Sequence, residues 1–192
     1  MKRVILASAS PRRSMLLKQI GLEFDIIHSN LEEKIDSSIS PEELAKDLAY
    51  RKALSVSQEI EMPSLVIGAD TIVVKGDVLG KPQSEDEAYK MLKSLQGEWH
   101  DVITGITVIE VPEMKYKSSY EKTRVKMREL NNNTINSYIK SGEPMDKAGA
   151  YGIQGLGAVL VEKIEGCYFN VVGLPLTRLS IVLEDFGVKV LG

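Results

Sequence analysis

The chain has 192 residues, 43% apolar and 27% charged, with a formal net charge of −3. That suffices for a sizeable core, and it gives no global electrostatic case for binding nucleic acid or an anionic membrane. The lone Cys167 cannot close an internal disulfide, His28 and His100 lack zinc-site spacing, and no apolar run suits a signal peptide or a bilayer span. The expectation is one cytoplasmic domain over residues 1–192.

Residues 4–7 read as a first strand, running into Ser8-Ala9-Ser10-Pro11-Arg12-Arg13. Ser10 is a good N-cap and Pro11 suits the first helical position, so a helix is expected to Ile20, closed by Gly21. Two arginines in a first turn oppose the helix dipole, which favours negative charge there. A sequence that accepts this presents them to an anion. Serine hydroxyls, free amides and two guanidinium groups make a polyphosphate cradle, although no Walker A lysine motif is present. The plain alternative is a solvated arginine pair.

Residues 24–28 read as strand, and the polar loop after them carries Glu32 and Glu33. Ser40-Pro41-Glu42-Glu43 is a capping box opening a helix to about Ile60. At about 100° per residue, Leu44, Ala45, Leu48, Ala49 and Val56 share a stripe with Lys52 near its middle, while Arg51 falls off it. Lys52 therefore either snorkels out or aims its ammonium into an internal cleft.

Residues 65–74, Leu-Val-Ile-Gly-Ala-Asp-Thr-Ile-Val-Val, read as a strand covered on both faces. An ionised Asp70 there costs several kcal/mol unless a cation, a metal or several donors meet it. Asp70 is either a structural carboxylate or one held rigidly in a cleft. A two-residue turn at Gly76-Asp77 would pair Lys75 with Val78 and Ile72 with Lys81, placing Lys81 on the face of Asp70.

A helix capped by Ser84 follows, with Ala88, Met91, Leu92 and Leu95 inward and Gly97 at its end. Residues 99–111 and 115–130 read as two long strands, the second alternating Thr123, Val125 and Met127 with Lys122, Arg124, Lys126 and Arg128. A short helix is expected over 134–141. Residues 143–157 then hold four glycines within 149–157, a bent and closely approached backbone from which Gln154 offers a donor and an acceptor suited to a base edge. This block is no dinucleotide fingerprint, because its spacing is wrong and it runs into an expected strand at 158–164. Gly173-Leu174-Pro175 leads to a last helix and a short last strand.

Taken together, residues 7–13, Gly68-Ala69-Asp70-Thr71, Lys81-Pro82, residues 146–155 and residues 172–176 resemble the Maf family of nucleoside triphosphate pyrophosphatases along essentially the whole chain. The resemblance implies an elongated, two-lobed α/β fold around a mixed, strongly bent sheet with an active-site cleft between the lobes. It implies a hydrolase dependent on Mg²⁺ or Mn²⁺ that converts a nucleoside triphosphate to monophosphate and pyrophosphate. In that reading Asp70 is catalytic, Glu33 and Asp70 face the metal, and Ser8, Arg13, Lys52 and Lys81 surround the triphosphate. Arg12, Thr71 and Gln154 match positions that mark the branch acting on dTTP and UTP. The expected partner is the nucleotide itself, with no nucleic acid polymer and no membrane, and a homodimer is left open. Two rivals stand beside this: a pyrophosphatase for modified purine triphosphates, and a nucleotide-binding regulator of cell division without turnover.

Overall fold

The structure, a computed structural model, describes residues 2–29 and 38–191. Its chain order is β1 (Arg3–Leu6), α1 (Pro11–Gln19), β2 (Asp25–Ile26), α2 (Pro41–Ser57), β3 (Ser64–Lys75), β4 (Asp77–Leu79), α3 (Glu85–Leu95), β5 (Trp99–Val111), β6 (Lys115–Met127), α4 (Asn132–Lys140), β7 (Val161–Glu165), α5 (Tyr168–Val172) and α6 (Leu176–Glu184). The strands form a mixed sheet in the order β2-β1-β3-β5-β6-β7, with β4 on β3. The expected α/β class with a mixed sheet is what the chain adopts.

The chain divides into two compact units. One comprises residues 1–70, 104–121 and 173–192; the other comprises 71–103 and 122–172. In the first, β1 lies parallel to both β2 and β3, with Leu6 level with Ile67. Ile5, Ala7, Val66, Ile109 and Val111 pack there with Ala53 and Val56 of α2. The contact of α2 with the sheet is unusually close because two strand residues lack side chains. A Cβ on Gly68 would stand 2.3 Å from the Ala49 carbonyl oxygen, and one on Gly105 would stand 2.0 Å from that of Ala45. Helix backbone therefore rests directly on strand backbone, which leaves no slack in the placing of α2.

In the second unit, Ala88, Met91, Leu92 and Leu95 of α3 pack with Ile135, Tyr138 and Ile139 of α4 and with Val125 and Met127 of β6. Ser84 and Asn131 cap α3 and α4, accepting from the amides of Glu87 and Thr134. Buried Asn170 donates to the Val102 carbonyl and to the Thr123 hydroxyl, tying α5 to β5 and β6. On the basic face of β6, Lys122 pairs with Asp101 and Arg124 with Glu165, while Lys126 donates to the Gly97 carbonyl.

Several boundaries differ from the sequence reading. Residues 155–160 form 3-10 turns rather than strand, because Gly155 has φ of +66° and Gly157 packs against Gly152, bending the chain before β7. No strand follows α6 among the described residues. The Val188 amide instead bonds back to the Leu183 carbonyl and closes the helix, with Gly187 left-handed. The expected strand over 24–28 shortens to Asp25–Ile26, and α5 was not expected at all. The β3–β4 register is 75 to 77, 74 to 78 and 73 to 79, with Gly76 alone between the paired ends at φ of +71°. That is one residue away from the expected pairing, and a one-residue slip reverses which face each side chain takes. Lys81 lies beyond the end of β4 and is exposed, so the hairpin argument for a face shared with Asp70 fails.

Candidate active site

The first unit supplies the most distinctive chemistry. Asp70 lies deep in β3, 5% exposed, and its carboxylate is ion-paired with the ammonium of Lys52. The pairing follows from the backbone contact just described. Gly68 and Asp70 lie two residues apart on one face of β3, while Ala49 and Lys52 lie three apart on one face of α2. Where Gly68 lets Ala49 touch the strand, Lys52 is brought level with Asp70. The stripe geometry left Lys52 two orientations, and in the structure its ammonium turns in to Asp70 rather than snorkelling out. Arg51, off the stripe as expected, pairs with Asp47 one turn earlier.

Beside β3, the Ala7 amide donates to the Ile67 carbonyl at 2.8 Å, so β1 delivers the next residues alongside the approach to Asp70. Ser8 is buried, and its hydroxyl accepts from the Ser10 amide at 3.2 Å and from the Arg13 guanidinium at 3.2 Å. The Nε of Arg13 donates to the Gly173 carbonyl at 2.8 Å. Gly173, with φ of +121°, thus turns a carbonyl onto the arginine and fixes its fork. The sequence reading took Gly173 as a helix lead-in within a family motif and did not foresee that its carbonyl holds Arg13. Ser10 begins α1 as expected, but its side chain makes no capping bond. Arg12 is half-buried in the first turn of α1.

Thr71, Lys81 and Gln154 fall in the second unit. Thr71 is half-buried and, one residue on from Asp70 in a continuous strand, points to the opposite face. Around Lys81 the backbone is well anchored: the Gly80 carbonyl accepts from the Gly149 amide at 3.0 Å and Pro82 is buried. Gly149 sits at φ of +68°, where an added Cβ would stand 3.0 Å from Val73. Two of the short motifs are therefore stitched together through glycine backbone. Gln154 is half-buried in the following loop, with no hydrogen bond from its amide among the described residues.

Glu33 lies outside the described residues. Among the described residues no group of three His, Cys, Asp or Glu side chains is placed to hold a metal ion. Mg²⁺ commonly uses one or two carboxylates, with waters and substrate phosphates completing the shell, so Asp70 as a single hard oxygen donor fits such a site.

His100 and Tyr151 form a buried pair in the second unit, 2.6 Å apart. Burial, with a contribution from Lys75, lowers the His100 pKa to about 4, so its ring is neutral at pH 7. Burial also raises the Tyr151 hydroxyl well above its ordinary range.

A mixed α/β fold that buries an ion-paired carboxylate and sets serine and arginine at a strand-to-helix turn is the framework of an enzyme for anionic substrates. The chain belongs to the Maf-like protein family, whose match covers residues 3–186. It is 53% identical to the dTTP/UTP pyrophosphatase of Acetivibrio thermocellus, over 100% of this chain and 98% of the relative. It is 51% identical to that of Caldicellulosiruptor bescii, over 97% and 96%, and 52% identical to that of Alkaliphilus oremlandii, over 96% of each. Among solved structures, a HAM1 protein from Coxiella burnetii aligns with a TM-score of 0.51 and 15% identity, covering 96% of this chain and 100% of that one. At that identity the likeness concerns the fold. No described helix is long and apolar enough to cross a membrane.

Proposed function

We propose that this chain hydrolyses UTP and dTTP to the nucleoside monophosphate and pyrophosphate, a house-cleaning activity on the cytoplasmic nucleotide pool. The observation that carries the reading is the buried Asp70–Lys52 pair in a chain about half identical, end to end, to enzymes named for that activity. Cleavage between the α and β phosphates needs a water aimed at the α phosphorus and relief of charge on departing pyrophosphate.

Asp70 is rigidly held and desolvated, so it can accept the proton of an attacking water or serve as an oxygen ligand. Lys52 offsets the desolvation of that carboxylate and places a positive charge where phosphate oxygens would gather. Arg13 presents a guanidinium already oriented by Gly173 and Ser8, so little side-chain entropy remains to be lost when it meets phosphate. Lys81 adds a further cation for the polyphosphate. Glu33 and Asp70 would hold Mg²⁺ or Mn²⁺, which would neutralise phosphate charge and activate water when bound. Arg12, Thr71 and Gln154 set base choice, with the Gln154 amide matching the N3 donor and flanking carbonyls of uracil and thymine.

The test is release of pyrophosphate from a panel of nucleoside triphosphates with Mg²⁺ or Mn²⁺. UTP and dTTP should be preferred, and orthophosphate should not appear. Preference for modified purine triphosphates, or binding without turnover, would support one of the rival readings.

A further inference from the structure

The loop that carries Gln154 is closed by a set of contacts among residues to which the proposed activity gives no role so far. Gly157 packs so tightly against Gly152 that a Cβ on Gly157 would stand 2.2 Å from the Gly152 carbonyl oxygen, bringing the two ends of the 152–157 segment into contact. Glu143 fills the mouth of this loop. Its carboxylate accepts from the Leu156 amide at 2.9 Å, from the Gly157 amide at 2.9 Å and from the Tyr138 hydroxyl at 2.9 Å. The Tyr138 oxygen in turn accepts from the Gly152 amide at 3.2 Å. A single carboxylate–phenol relay thus grips the loop at its start through Gly152 and at its end through Leu156 and Gly157.

Two further contacts show that the device is built and not incidental. The ammonium of Lys147 donates to the Glu143 carbonyl at 2.5 Å, and its side chain lies where a Cβ on Gly152 would meet it at 2.9 Å. Gly155, at φ of +66°, would place a Cβ 2.6 Å from the Glu143 carboxylate, so the loop closes over the acid only with glycine there. Burial alone would raise the Glu143 pKa, but the Gly157 and Leu156 amides, the Tyr138 hydroxyl and Lys147 outweigh it and hold the group below the usual carboxylate range.

We propose that Glu143, acting with Tyr138, is a positioning residue for base selection: it fixes the 152–157 loop so that Gln154 meets the pyrimidine edge preorganised. The proposal rests on the assignment of Gln154 to base reading. Gln154 sits at the centre of the clamped segment and spends no hydrogen bond of its amide on the described protein, so its orientation depends on the backbone that carries it. Glutamine in place of Glu143 keeps the volume but turns an NH₂ toward at least one of the three donors, which then lose their acceptor.

The experiment compares wild type, Glu143→Gln and Tyr138→Phe in steady-state hydrolysis of UTP and CTP, with melting temperature and circular dichroism as checks on folding. Wild-type turnover of UTP establishes the underlying activity by itself. Its absence would refute that reading, whereas the variants address the clamp. Glu143→Gln should raise KM for UTP roughly tenfold with kcat within about threefold, and should shrink the UTP-to-CTP preference. Tyr138→Phe should move both quantities in the same direction by less. An unchanged KM and preference, or a loss confined to kcat, would overturn the proposal. If Glu143→Gln does not fold, Tyr138→Phe decides alone on the same criteria.

Discussion

The Asp70–Lys52 centre and the Gln154 loop are held in opposite ways. The first is mounted on regular elements: a helix whose backbone touches β3 at Gly68 and β5 at Gly105, so that close backbone packing determines where carboxylate and ammonium meet. The second is mounted on irregular backbone, three short 3-10 turns shaped by left-handed glycines and kept in place by polar contacts from Glu143, Tyr138 and Lys147. Under the proposed function, the groups that do chemistry are built into packing, while base selection is carried by a loop mounted outside the regular elements.

The sharpest way to test the first half is Asp70→Asn. It keeps volume but removes the charge, and kcat for UTP should fall by roughly 10²-fold or more, with circular dichroism unchanged. Near-normal turnover would return Asp70 to a structural role. Breaking the mount instead of the group, Gly68→Ala forces a methyl to within 2.3 Å of the Ala49 carbonyl oxygen. Backbone has to shift there, so we expect a loss of about 3 kcal/mol in urea titration together with reduced kcat as Lys52 leaves its register. A stable variant of normal activity would show that the close contact does not place the pair.

How much of this was legible beforehand divides along the same line. Periodicity located α2 and set Lys52 near the middle of its apolar stripe, and the long apolar run with one acid singled out Asp70, because regular elements impose a period that sequence records. The hairpin register was lost to a single residue, since Gly76 at positive φ closes the turn alone and no period marks that choice. The 3-10 turns after Gln154, the Gly173 carbonyl on Arg13 and the Glu143 clamp depend on contacts between residues far apart in sequence or on individual φ values. Composition could flag the glycines but not what they approach.

Acid should weaken the second unit through His100. The native ring has its pKa lowered to about 4, whereas the unfolded ring titrates near 6.5. As pH falls below about 6.5 the unfolded chain takes up a proton that the native one refuses, and stability declines until about pH 4, where both are protonated. Loss on the order of 2 kcal/mol between pH 7 and 4.5 is expected by urea titration, and His100→Gln should flatten the slope over that window. A variant as acid-sensitive as wild type would assign the effect to other groups.

The smallest expected change is the most specific. Gln154→Ala should lower kcat/KM for UTP and dTTP by roughly tenfold, about 1.4 kcal/mol, by leaving base edges unpaired. The melting temperature should stay put, because the side chain makes no hydrogen bond within the described protein. An equal loss on nucleotides of every base would mean that Gln154 shapes the loop without reading the base.

The proposed hydrolysis depends on attack at the α phosphorus by water under Asp70. Hydrolysis of UTP in ¹⁸O-labelled water, followed by mass spectrometry of both products, reads this directly. The label should appear in UMP, with pyrophosphate unlabelled. Label in pyrophosphate would mean that the bond is cut by attack on the β phosphorus, and the assignment of this site would be contradicted.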